Sequence, residues 1–465
     1  MNKDCCLPFM SKHIDKSISP RIFAEVVDPG YCCGCGVCVG LCPEICLKMR
    51  FNRYGGYNPV MEGDCVSCGI CEKVCPFLNG NADEDNIASE CFSGIEGIMH
   101  RPEIGYYLKT YVGCAPDSRM RWNGASGGMI TWTLCKLLEL DIVDHVITVS
   151  PNPDPKKLFR FVIVSTTDDV RRCAKSAYYP VEISEMLRNV LQNKGRYALV
   201  GLPCVCKAIR LAQNQSKKLH SRISIILGLV CGRQQSKYYA QQVSRMAGMT
   251  ELPVSLSFRN KQEGEPATNF IFSSLSKDST KFEIQQTEGV AKLWGDGWYT
   301  LKSCYYCDDV FAECADATFM DAWLLEYFRD SKGTSLVITR KPEIVPQEDK
   351  LQAIPIEQVI RSQQGVLFAK REGLAAILLL TRLFSQRTLK KRIFRNGRVR
   401  WTRKVILHVN QYIISRLIRS YMCEGTLMLT RKPALYFKGA PFFALKFILT
   451  LPGRIKGRLR AFIKR

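Results

Sequence analysis

Between residues 105 and 380 the chain alternates short, β-branched apolar runs with stretches whose apolar positions recur every three or four residues. The runs 142–149, 161–165, 197–201, 223–230 and 335–339 read as buried strands. Residues 129–140 and 184–191 have helical spacing. This order predicts an α/β domain of about 270 residues, with α+β as the alternative, large enough for a substantial core. Strand order does not follow from the pattern. The tail after residue 385 needs a separate account. There an amphipathic stretch, 405–418, is followed by a second apolar stretch, 442–451, interrupted by Lys446 and bracketed by Pro441 and Pro452. No apolar run reaches the length of a membrane span, and no signal-like start is seen, so a cytoplasmic location is expected.

Charge sharpens these divisions. The 465 residues allow two or three domains. From Ser385 to Arg465 there are 21 Lys or Arg against one acidic residue, Glu424, which is +20 of the formal +23; the body is nearly neutral. The expected organisation is a leader (1–30), a cysteine-rich module (31–78), an acidic linker (79–104), the α/β body (105–380) and a helical, basic amphipathic extension (381–465). Each basic residue beside an anionic leaflet contributes about 1 kcal/mol, so the extension suits peripheral attachment to the inner face of a membrane. A protein partner or packing on the body are alternatives. Nucleic acid is the rival for the same charge, disfavoured by the apolar cluster of Phe442, Phe443, Phe447, Ile448 and Leu449.

The cysteines carry the chemistry. There are 23 of them, and in a chain that is not exported they mean thiols and metal rather than disulfides. Cys32, Cys35, Cys38 and Cys42-Pro43 repeat the spacing of Cys65, Cys68, Cys71 and Cys75-Pro76, each reading C-x2-C-x2-C-x3-C-P. Three thiolates two residues apart wrap three corners of a [4Fe–4S] cubane, and the fourth reaches the neighbouring cluster. The spacing therefore assigns Cys32, Cys35, Cys38 and Cys75 to one cluster, and Cys65, Cys68, Cys71 and Cys42 to a second, in a ferredoxin-like module. Gly34, Gly36 and Gly69 permit close backbone approach, with N–H groups free to face the sulfurs. Zinc is the alternative, although it prefers two C-x2-C pairs. Cys33 and Cys46 fall out of register and read as bystanders.

Four body cysteines share a context. Cys204 in Gly201-Leu-Pro-Cys204 and Cys231 in Gly228-Leu-Val-Cys231 each follow an expected strand, and Cys304 and Cys307 form a C-x2-C. Neighbouring strand ends converge in α/β folds, so these four would complete a third cluster or a zinc site, unless they are unrelated core cysteines. Cys206 and Cys314 are rival ligands. At Ser126-Gly127-Gly128, before helix 129–140, free N–H groups would hold a pyrophosphate; capping of the helix by Asn123 or Ser126 is the equal alternative.

The cysteine pair of blocks, Gly124-Ala-Ser-Gly-Gly128, Gly201-Leu-Pro-Cys204, Gly228-Leu-Val-Cys231, Cys304-Tyr-Tyr-Cys307-Asp308, Ala315-Asp316 and Gly333-Thr-Ser335 occur in an order that resembles the coenzyme F420 hydrogenase/dehydrogenase beta-subunit family, from about Tyr31 to Arg340. The resemblance implies an iron–sulfur flavoprotein oxidoreductase, with FAD beside a [4Fe–4S] cluster held by Cys204, Cys231, Cys304 and Cys307. It also implies a redox protein donor such as a ferredoxin. Family members include deazaflavin-dependent enzymes, a plant chlorophyll-derivative reductase and bacterial proteins in polysaccharide-synthesis contexts. A carrier is needed in any case, because a cubane passes single electrons while most organic substrates change by a hydride.

By the same resemblance Ser176, Tyr178 and Asp321 lie near the flavin, with Tyr178, Tyr179 and Asp321 as candidate acids. Three departures stand out: Ser176-Ala177-Tyr178 where relatives carry Ser-Lys-Tyr, Val205 in place of Gln, and Met320 in place of Gly. The substrate pocket is therefore expected to be altered, and coenzyme F420 is not carried over as substrate. The alternative class is an electron-transfer subunit that serves a separate catalytic partner.

Overall fold

The computed structural model describes residues 19–342, 344, 351–383, 389, 405, 406, 408, 409, 412 and 413. The leader before residue 19, the stretch 442–451 and most basic residues of the extension lie outside them.

Two antiparallel hairpins come first, β1 (Leu47–Phe51) with β2 (Tyr57–Met61), and β3 (Met99–Arg101) with β4 (Gly105–Tyr107). The central sheet takes β5 (Lys109–Gly113), β6 (His145–Pro151), β7 (Phe159–Val164), β8 (Tyr197–Gly201) and β9 (Ile223–Leu229). A separate three-stranded antiparallel sheet follows, of β10 (Ser255–Asn260), β11 (Ile271–Leu275) and β12 (Lys281–Gln285). The chain then returns to the central sheet with β13 (Ala317–Asp321), β14 (Ser335–Thr339) and β15 (Leu351–Ala353). Its eight strands lie in the order β15, β5, β14, β13, β9, β8, β6, β7. The pairs β6/β8, β8/β9 and β9/β13 are parallel and the outer pairs antiparallel, so the fold is a mixed α/β sheet.

The parallel strands are covered on both faces, which is why β8 is a continuous apolar run with all five residues buried. Neighbouring residues feed opposite cores. Val146, Ala198 and Leu227 pack with Trp132, Leu134 and Leu137 of helix Met129–Glu139. Ile147, Leu199 and Ile226 pack with Leu187 and Val190 of helix Ser184–Gln192 and Ile209 of helix Pro203–Gln215. That second core continues without a break into Val37, Val39, Leu47, Val74 and Phe77 between the N-terminal cysteines. The cysteine-rich segment is thus packed against the helices of the body, and the Ile183 amide donates to the Cys35 carbonyl at 2.9 Å.

The acidic stretch after residue 79 is structured. Asp83 caps helix Glu84–Phe92 by accepting from the Asn86 amide at 3.0 Å, and Glu84 and Asp85 fall in its first turn, where the helix dipole favours them. Ile87, Ala88 and Phe92 are buried, and the buried Glu84 carboxylate lies 3.2 Å from the Lys207 ammonium. The acids that read as a linker mark a helix start. Residues 19–30 likewise place Ile22 and Val26 in the core.

Beyond β15, helices Ile356–Ser362 and Gln364–Phe368 lead through Ala369–Gly373 into Leu374–Leu383. Val405 and Val409, in the amphipathic stretch of the extension, pack with Ala376. The Tyr412 hydroxyl meets the Tyr306 hydroxyl at 2.6 Å. These described residues of the extension lie on the body, next to the C-x2-C pair. Among the described residues no helix is long and apolar enough to cross a membrane.

Candidate functional site

Short helices entered through left-handed glycines position the N-terminal cysteines. Gly36 (φ 82°) opens Val37–Gly40, and Gly69 (φ 70°) opens Ile70–Lys73. Gly34 (φ 74°) runs so close to Tyr57 that a Cβ would stand 2.9 Å from its carbonyl, and its N–H donates to Cys32 Sγ at 3.4 Å. Cys32 faces Cys35 and Cys75, and Cys38 faces Cys35, Cys32 and Cys75. Cys71 faces Cys65, Cys68 and Cys42. The structure therefore brings together Cys32, Cys35, Cys38 and Cys75, and separately Cys42, Cys65, Cys68 and Cys71. Burial pushes the Cys32 and Cys38 thiols well up, and those of Cys71 and Cys75 to about 12, in Cys75 against the opposing pull of backbone amides and Lys207.

Cys33 and Cys46, out of register in the sequence, lie next to the grouped cysteines. Cys46 Sγ lies 3.4 Å from Cys42 Sγ. The buried Cys33 thiol lies beside both Cys204 and Cys35, between the first cysteine group and the body. Their sequence offset hid this, because the contacts are made across the fold.

In the body, Cys204 and Cys231 follow the carboxyl ends of the adjacent parallel strands β8 and β9, so their convergence comes from the sheet. Cys231 faces Cys304, Cys204 and Cys307. The Gln234 amide donates to Cys304 Sγ at 3.1 Å. The rivals point elsewhere: Cys206 donates to the Gly201 carbonyl at 3.5 Å, and Cys314 is buried beside Glu84 and Asp309. Burial raises Cys231 and Cys304, whereas the Cys33 hydrogen bond, opposed by burial and aided by Lys370, draws Cys204 down. Among the described residues, no three His, Cys, Asp or Glu side chains close on one point at the spacing of a single metal ion. A cubane spreads its thiolates over separate irons and needs a wider set.

A cavity of about 690 Å³ opens beside these thiols. Its wall includes Cys35, Cys204 and Cys231 together with Ser126, Gly128, Ser176, Tyr178 and Asp321. Helix Met129–Glu139 starts at its edge, capped by the Gly128 backbone (φ 78°) with no side-chain cap, so neither Asn123 nor Ser126 has the capping role. The Ser126 hydroxyl donates instead to the Thr334 carbonyl at 2.8 Å. Gly127 is turned away, its N–H bound to Ser335 Oγ at 3.0 Å, and a Cβ there would come within 2.7 Å of the Ser335 nitrogen. Close packing on β14, rather than an open N–H, accounts for that glycine. Lys261 braces the loop by donating to the carbonyls of Arg121, Ser126 and Lys332, each at 2.6 Å. Burial and the nearby Arg259 bring its ammonium down to about 7.

The far wall is aromatic. Tyr178 packs on Trp294 with ring centroids 4.6 Å apart and edge-on to Phe258 at 5.4 Å. Buried Arg259 grips Asp321 with two hydrogen bonds, 3.0 and 3.1 Å, so Asp321 is a structural counterion rather than a free acid. Tyr179 is a packing residue, 3% exposed, its hydroxyl 3.4 Å from the Lys156 carbonyl. Arg259, Lys261, Trp294 and Lys370 belong to the site and were missed. Each is brought in by a tertiary contact that no local spacing announces.

The mixed α/β sheet thus carries thiols at its strand ends and opens into a cavity walled by a glycine loop and aromatic rings. Residues 110–188 match the family model for the N-terminal part of the coenzyme F420 hydrogenase/dehydrogenase beta subunit, and residues 194–350 match the model for its C terminus, together just over half of the chain. The chain belongs to the coenzyme F420 hydrogenase/dehydrogenase beta-subunit family. Neither model covers the N-terminal cysteine blocks. No curated protein matches the chain. Among solved structures, a chain of the F420-reducing [NiFe] hydrogenase complex from Methanosarcina barkeri is similar at 16% identity and a TM-score of 0.45, over 61% of this chain and 96% of that one.

Proposed function

We propose that the chain is an iron–sulfur flavoprotein that passes electrons between a redox protein donor such as a ferredoxin and an organic two-electron partner. The observation that carries this reading is the shared wall: one cavity touches Cys35 of the first cysteine group, Cys204 and Cys231 of the body group, and Ser126 and Gly128 of the glycine loop. Under it the N-terminal eight cysteines hold two [4Fe–4S] clusters as a ferredoxin-like module, and Cys204, Cys231, Cys304 and Cys307 hold a third. The donor set fits, since the thiols converge and a buried ammonium, Lys370, faces three of them. FAD fits the other side, with amides free of any side-chain cap at the start of helix Met129–Glu139 for its phosphates and the Tyr178, Phe258 and Trp294 wall for its ring. A flavin there supplies the conversion between one-electron and two-electron chemistry. The chain's own residues fix the loop through Lys261, fix Asp321 through Arg259, and keep the thiol groups in contact through Cys33.

The description of the family as a beta subunit favours a second reading, a relay serving a separate catalytic partner. Rapid mixing of the anaerobically reconstituted full chain with a reduced ferredoxin separates the two. The flavoprotein reading expects the flavin to bleach. It further expects Cys304→Ser to lose about four irons and to slow bleaching by orders of magnitude. Unchanged iron together with unchanged bleaching in that variant would remove the third cluster from the path.

A further inference from the structure

Lys370 lies in the helical segment Ala369–Gly373, beyond the last residue matched by the family models, and its side chain is buried at 4% exposure. Its ammonium faces Cys307, Cys231 and Cys304 and lies 3.4 Å from the Cys304 carbonyl. Among the described residues no ion pair to Lys370 is found, and the charges that act on it are those of the cysteines. The next residue turns elsewhere: Arg371 pairs with buried Glu313 at 3.5 Å. The segment is held down from outside, where the His408 ring packs so closely on Gly373 that a Cβ there would overlap it. A buried ammonium is costly unless an opposite charge offsets it. Four neutral thiols offer none. A [4Fe–4S] centre with four thiolates is anionic and gains one more negative charge on reduction, so a fixed cation beside it favours the reduced form.

Resting on the reading above, we propose that Lys370, delivered by the segment beyond the family-matched region, is a tuning residue that raises the reduction potential of the cluster held by Cys204, Cys231, Cys304 and Cys307. This makes that cluster the preferred resting place of an electron arriving through the Cys33 contact, next to the cavity.

The test is a redox titration, followed by electron paramagnetic resonance, of the reconstituted full chain and of Lys370→Met and Lys370→Arg. Lys370→Met should shift the reduction equilibrium of the third cluster toward the oxidised form by about tenfold, which is about 59 mV for one electron, and leave the other two clusters alone. Lys370→Arg, which keeps the charge, should stay within about twofold of the parent. A Lys370→Met protein with full iron and the parental potential, or a common shift of all three clusters, would overturn the proposal. Should Lys370→Met lose the cluster, Lys370→Arg decides. Recovery of iron and potential supports the charge role, and loss in both variants shows that shape is required and overturns it. A parent chain without a third cluster signal would sink the underlying reading before any substitution is made.

Discussion

The Asp316 carboxylate, fully buried, accepts from the Ile226 amide at 2.7 Å and pairs with Arg210 and Lys341, both at 2.8 Å. It joins the entry of β13 to β9 and to helix Pro203–Gln215, which carries Cys204 in its first turn. Removing it strands a buried guanidinium. Asp316→Ala should therefore destabilise the chain by about 3–5 kcal/mol, read as a fall in the urea midpoint; a loss under about 1 kcal/mol would mean that the ion pair is not what fixes β13. At this scale the sequence was legible wherever chemistry imposes a spacing. The eight N-terminal cysteines and Cys204, Cys231, Cys304 and Cys307 fall together as their positions suggested. Cys33, Arg259, Lys261 and Lys370 were not legible. Arg259 meets a partner 62 residues away and Lys370 lies 66 residues from Cys304, so no local pattern could mark them.

Elements were legible where burial on both faces leaves an unbroken apolar run, as in β8 and β14. The strand β13 was missed although it is buried, because Thr318 inside it and Asp316 and Asp321 at its ends break the apolar run. The small sheet was missed too. Its strands mix serines with apolar residues, and only their pairing in three dimensions and the aromatic cluster under them explain their stability. The amphipathic stretch of the extension is the element whose placement changes most, since Val405, Val409 and Tyr412 are buried on the body. His408 makes that docking sensitive to pH. Burial, with Arg233 and Lys370 nearby, holds its imidazole down to about 4, against 6.5 for a free ring. The undocked form thus binds more protons between these values, so docking is at full strength above pH 6.5 and weakens as pH falls towards 4. Amide exchange over residues 405–413 should accelerate from pH 7 to pH 5 beyond the intrinsic rate, and His408→Phe should abolish that excess. The same excess in His408→Phe would assign the effect to other groups.

Over the whole molecule, the thiol groups and the cavity follow one another. Cys71 and Cys38 face each other between the two N-terminal groups, Cys33 touches both Cys35 and Cys204, and Cys204 and Cys231 border the cavity. The core from Val37 to Ile226 is continuous, so the cysteine segment is packed on the body rather than tethered to it. Sequence alone suggested the parts and a division at about residues 78–105, yet not their contiguity, which depends on helices Ser184–Gln192 and Pro203–Gln215 receiving the cysteine segment on their outer face. The measurement that tests this account most directly is iron, acid-labile sulfide and flavin per chain in anaerobically purified, reconstituted protein. Three clusters beside a flavin predict about twelve irons, about twelve sulfides and about one FAD. About eight irons with no flavin would contradict it and leave the α/β body as a docking scaffold for the two N-terminal clusters.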